Sequence, residues 1–223
     1  MKKILLLALT LLLIPTLAHA ALTKAVAALD EWQNVAQNTV VEGATADVSG
    51  NYQTVLTIAV ALVTDATASA NGPEIVVQIS SNTAGDEDWI DLTRFQGPIG
   101  TPNKEDSTEN PLNAGDTTLN MASTTGYTKP TGTDNGLRYL KDATIADSEI
   151  VFQNGLTTNT NITVVDGTTN THQNTMDFYN IAGVYIIQIP DSANRVRVIY
   201  NNTKDAAGSA CDVMARLSKI TGI

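Results

Sequence analysis

The hydrophobic pattern changes character twice along this chain. Between Ile4 and Leu17 most residues are apolar, with Lys2 and Lys3 ahead of them and Ala18-His19-Ala20 behind. A basic start, a short apolar stretch and small residues at the last and third-last positions make a secretory signal peptide over residues 1–20. The stretch is shorter than the roughly 20 residues a spanning helix needs, and Pro15 interrupts it, so no membrane span is expected after cleavage. From Leu22 to Ala36 the apolar residues recur at three- and four-residue steps: Leu22, Ala25, Val26, Leu29, Trp32, Val35 and Ala36. That spacing predicts a short amphipathic helix within 21–39. Its stripe needs a partner surface, either the protein's own body or a neighbouring subunit. Leu22, Leu29 and Trp32 are therefore candidate interface residues.

Beyond Val40 the period shortens to two. Tyr52 to Val63 sends Leu56, Ile58, Val60 and Leu62 one way and Val55, Ala59, Ala61 and Val63 the other, which predicts a strand buried on both faces. Glu74 to Ser81 alternates around Ile75, Val77 and Ile79. Trp89 to Phe95 follows as a short strand with Trp89 as a core aromatic, and Gly97-Pro98 ends it. Short strands are then predicted at 117–121, 137–141, 149–153 and 161–165, punctuated by Asn135-Gly136, Asn154-Gly155 and Asp166-Gly167. Three more close the chain, at 184–189, 195–200 and 212–220.

The fold class expected is all-β: a discontinuous antiparallel β-sandwich, jelly-roll or Ig-like, with an inserted small β domain and the short N-terminal helix. The sandwich takes 40–99 and 179–223, because neither flank alone has enough strands to cover its apolar face. Residues 100–116 hold almost nothing that makes a core and are assigned to a linker loop. Residues 117–178 form the inserted module.

Charge narrows the partners. The chain has 13 basic and 23 acidic residues, a net charge of −10. Loss of Lys2 and Lys3 with the signal leaves 11 basic against 23 acidic residues, a net −12. Such a balance disfavours nucleic acid, whose binding neutralises phosphates, and suits a soluble extracellular protein. Cys211 is the single cysteine, so no internal disulfide forms. It is read as a buried, inert thiol.

After cleavage His172 is the one remaining histidine, in a polar stretch read as loop. Zinc sites of several His and Cys ligands cannot be assembled in one chain here. No Gly-x-Ser-x-Gly elbow, His-Glu-x-x-His pair or phosphate-cradling loop accompanies it. The expectation is a non-enzyme with no cofactor, save that Asp86, Glu87 and Asp88 are a candidate calcium loop without the regular Asp-x-Asp-x-Asp-Gly spacing. Arg195 and Arg197 share the solvent side of their strand and are candidate contacts for a neighbour's acidic loops, or guards of an edge strand.

The flanks, with Val55 to Val63, Glu74 to Ser80, the Trp89 strand and Asn194-Arg195-Val196-Arg197-Val198-Ile199-Tyr200, resemble β-sandwich structural proteins of phage virions and cell surfaces. The middle, with Thr117-Thr118-Leu119-Asn120-Met121, Ser148-Glu149-Ile150-Val151 and Thr163-Val164-Val165-Asp166-Gly167, resembles a small β module common in the same proteins. The resemblance implies structural or receptor-facing roles with no catalytic residues to carry over. The expected function is an exported, non-catalytic structural protein that self-associates into a surface layer, fibre or appendage. The alternatives are a module that binds a surface glycan or receptor, and a phage virion component of the decoration or tail type.

Overall fold

Alternating apolar residues set the strands, and Gly, Pro and Asn set the breaks between them. The structure is a computed structural model that describes residues 23–64, 69–85, 88–108, 111–124, 127, 130, 136–158, 160–172, 176–204 and 209–221. The expected signal peptide and Leu22 lie outside the described residues. The strands are β1 (Thr23–Val35), β2 (Val40–Glu42), β3 (Ala46–Asp47), β4 (Gln53–Leu62), β5 (Glu74–Ser80), β6 (Ile90–Gln96), β7 (Lys104–Asp106) and β8 (Thr118–Asn120). They continue as β9 (Leu137–Lys141), β10 (Glu149–Thr158), β11 (Asn161–Val164), β12 (Asp177–Tyr179), β13 (Ala182–Ile189), β14 (Arg195–Asn201) and β15 (Cys211–Thr221). Among the described residues no helix is long and apolar enough to cross a membrane.

The strands make three antiparallel sheets. The first has the order β1-β15-β4-β13, and the second β2-β14-β5-β6, with β3 also on β14. The third has the order β7-β12-β9-β10-β11-β8. The first two face each other across one core. Leu56, Ile58, Val60 and Leu62 of β4 meet Ile75, Val77 and Ile79 of β5, with Val213, Ala215 and Leu217 of β15 and Val196, Val198 and Tyr200 of β14. Period-two alternation puts these residues on the inner faces, and their burial drives the pairing of the sheets.

The third sheet closes over its own core, which includes Leu119, Leu140, Val151, Ile162 and Phe178. Residues 100–116, expected as a linker, contribute β7 and bury Leu112 completely in that core. The β7–β12 ladder and the reciprocal backbone bonds between Leu112 and His172 tie the segment in.

The chain from Thr23 to Val35 is a strand, not the predicted helix. Its ladder with β15 carries register shifts between Ala28 and Asp30 and between Asp30 and Gln33. Each bulge turns the following residues. Leu29 and Val35 therefore point into the sandwich core, while Trp32 points to the outer face of the first sheet. Two bulges in a strand imitate the three-residue spacing of an amphipathic helix.

The outer side of β4 is covered over half its length. Trp32, Ala59, Ala61 and Ala182 of the first sheet pack with Tyr139 of β9 and Tyr179 of β12. Small alanines on one side admit large rings from the other. The Trp32 and Tyr139 ring centroids lie 4.6 Å apart. This seam joins the third sheet to the sandwich.

Candidate assembly surface and buried polar centres

Cross-strand register arranges the outer face of the first sheet in rows, since residues directly opposite one another share a face. The row Asp212–Ala61–Ala182 and the row Met214–Ala59–Val184 lie at the seam with the third sheet. Three rows follow, the first of which, through Thr57 and Arg216, borders a recess shared with Glu149, Ile150, Thr169 and Asn170 of the third-sheet unit. The three rows are Ala28–Arg216–Thr57–Ile186, Val26–Ser218–Val55–Gln188 and Lys24–Ile220–Gln53. Ile186 is 73% exposed and Val26 58%. These rows contain two cations and no carboxylate, although the whole chain has a net charge of −10. Among the described residues neither Lys24 nor Arg216 has an ion-pair partner.

The side of the sandwich next to this face is also open. β13 ends the first sheet and β6 ends the second. The two edges lie together, with Phe95 and Tyr185 rings 4.4 Å apart and the Tyr185 hydroxyl donating to the Gln96 carbonyl at 3.4 Å. From Ala182 to Ile189 there is neither a charge nor a proline. Those are the usual devices that keep an edge from pairing with another chain.

Buried polar groups form separate centres, each internally paired. Asp212 is fully buried on β15 at the seam. Its Oδ2 accepts from the Tyr139 hydroxyl at 3.0 Å and from Lys141 Nζ at 2.8 Å, and its Oδ1 accepts from Asn34 Nδ2 at 2.7 Å. Burial, then the Asp212 charge, pushes the Tyr139 hydroxyl well above the ordinary tyrosine range. Asp30 sits in the β1 bulge, where Ala44 N donates to Oδ1 at 2.7 Å and the Tyr200 hydroxyl to Oδ2 at 2.9 Å. Glu74, nearly buried on β5, pairs with Lys204 at 2.7 Å and Arg94 at 3.3 Å. The hydrogen bond from Lys204 holds its carboxyl below the usual range in spite of burial.

His172 was read from sequence as a loop residue. It is instead fully buried in the third-sheet unit. Its Nδ1 lies 2.8 Å from Asp142 Oδ2 and its Nε2 2.9 Å from Glu149 Oε1. Reciprocal backbone bonds with Leu112 fix its position. Burial opposes charging the ring, but the hydrogen bonds and charges of Glu149 and Asp142 outweigh it, so its pKa is raised. Glu149 Oε2 also accepts from Thr169 N at 2.7 Å, and Asp142 Oδ1 from Thr144 N at 2.8 Å. Both carboxylates are thus occupied in holding loops. A buried histidine between two acids 30 and 23 residues away leaves no local mark in sequence.

The sequence-predicted site residues are dispersed. Asp86 and Glu87 lie outside the described residues, and Asp88 is exposed and accepts from Asn82 Nδ2. Among the described residues no group of three or more His, Cys, Asp or Glu side chains is arranged to hold a metal ion. Leu29 is in the sandwich core and Trp32 is against Tyr139, so both are covered within the chain. Arg195 Nε donates to the Asn82 carbonyl at 2.8 Å and Arg197 Nε to Gln78 Oε1 at 2.8 Å, and Arg197 also pairs with Glu42. Their guanidinium carbons lie 4.8 and 4.3 Å from the centroid of Trp89. Trp89 is thereby a half-buried platform for two arginines on the outer face of the second sheet, not a core aromatic. Cys211 is fully buried, and burial and the Asp212 charge push its thiol up to about 12.

No family model matches the chain, and no curated protein matches it. Among solved structures it shows weak resemblance to viral capsid proteins. VP17, a capsid protein of bacteriophage P23-77, is 8% identical over 89% of this chain and 96% of that one, with a TM-score of 0.20. The VP16–VP17 complex of the same phage gives 7%, 90% and 99%, with a TM-score of 0.19. Infectious bursal disease virus of the Gt strain gives 11%, 96% and 87%, with a TM-score of 0.20. Likenesses at these scores carry no role over to this chain.

Proposed function

We propose that this protein is an exported, non-catalytic structural subunit that works by associating with copies of itself, without a resident cofactor. The observation that supports this most is the uncharged edge β13, whose own Ile186 is 73% exposed. A protein that stays monomeric normally blunts such an edge with lysine, proline or a bulge. Here the edge is straight, antiparallel to β4 through Ala182 to Ile189 without a register shift. Main-chain groups on its outer side suit strand addition by a second copy. The strong negative charge keeps free subunits apart until such a contact forms. The assembly is a surface layer, a fibre or appendage, or the shell of a particle.

The test is the behaviour of the mature chain, residues 21–223, recovered from its source. Its N-terminal sequence is expected to begin at Ala21, and its sedimentation coefficient to rise with concentration. A chain that stays monomeric at high concentration, with native material that shows no polymer in electron micrographs, overturns this reading.

A further inference from the structure

We propose that copies of this chain join face to knob: the rows of the first sheet beyond the seam in one copy receive a knob made by Phe152, Val165 and Asp166 in the next. This rests on the self-association reading above and adds a second contact to the edge pairing of β13.

The receiving face is the set of three rows beyond the seam. Val26, Val55, Ile186 and Ile220 supply its apolar part, and Arg216 and Lys24 its charge. The knob lies on the third sheet. Phe152 of β10 is 47% exposed and Val165, just after β11, is 46% exposed. They are held side by side by the bond from Val165 N to the Phe152 carbonyl at 3.0 Å. Asp166 follows in the exposed turn and has no ion-pair partner among the described residues. An apolar knob flanked by a carboxylate thus matches an apolar face flanked by a guanidinium.

A carboxylate and a guanidinium form a directional, two-pronged contact. Each also repels its own kind, so face-to-face and knob-to-knob pairings are disfavoured. The two patches belong to different sheets. A contact made once per pair is heterologous and leaves one free face and one free knob, whereas the same contact made twice about a two-fold axis closes a dimer. Repetition of the single contact gives a ring where the rotation closes and a filament where it does not.

The experiment measures assembly of the full mature chain by sedimentation and light scattering, for the natural sequence, Arg216→Asp, Asp166→Arg and an equimolar mixture of the two. Each single variant is expected to weaken association about tenfold or more. Mixing them restores it, because Asp at 216 then meets Arg at 166. Rising salt weakens assembly of the natural chain. Ile186→Ser, an uncharged change at the face, is expected to give the same loss with an unchanged melting temperature. Single variants that assemble like the natural chain, or a mixture that fails to restore, overturn this contact while self-association stands. A natural chain that never associates overturns both.

Discussion

His172 shows how far one side chain departs from its sequence context. Its neighbours Thr171 and Gln173 are polar, and that pattern read as a solvated loop. In the fold the ring bridges Asp142 and Glu149, two acids 30 and 23 residues earlier in the chain. No periodicity reports such a contact, because it depends on where two loops and the start of β10 come together. Its raised pKa makes it a source of pH dependence. A group whose folded pKa exceeds its unfolded value of about 6.5 contributes fully below that pH, and the contribution fades as pH rises through the folded value. Denaturant titrations across neutral and alkaline pH are expected to show stability falling on the alkaline side. In His172→Gln the two buried carboxylates lose their cation. That variant should be less stable by about 3–5 kcal/mol at slightly acid pH, with the alkaline decline removed. Equal pH profiles for the two proteins would contradict the bridge. Cys211 was the simpler case: an apolar-rich neighbourhood was enough to indicate a buried thiol.

At the level of elements, the strands with clean alternation were legible and the irregular ones were not. β4, β5 and β14 fall where period-two patterns place them, because each has one face in a continuous core. β1 misled because its bulges break the alternation at Ala28 and Asp30. β12, only Asp177 to Tyr179, is too short to produce a pattern. The β1 bulge has its own chemistry. Asp30 fills it and accepts from Ala44 N and Tyr200, while Gly43 passes so close that a Cβ there would lie 2.2 Å from Asp30 Oδ2. Gly43→Ala forces the carboxylate out of place. Its urea midpoint is expected to fall by the equivalent of about 1–3 kcal/mol with an unchanged slope. An unchanged midpoint would mean that the bulge tolerates the methyl group.

On the scale of the whole molecule, sequence reasoning identified the all-β class and the double-sided burial of β4. It did not identify what covers the second side. Ala59 and Ala61 are weakly apolar and gave no hint that tyrosines from residues 139 and 179 would lie on them. Nor did the sequence reveal the rows beyond the seam, whose shared face depends on the register of four strands far apart in the chain. The same covering has a kinetic consequence. Leu56 to Leu62 of β4 has a strand on each flank, the second sheet beneath and, from Ala59 on, aromatic rings above. Deuterium is therefore expected to enter its amides last of all, at the rate of global unfolding, while those of β6 and β13 exchange through local opening. Under mechanical load this segment would act as the keel of the subunit, the last part to yield after both rims have peeled.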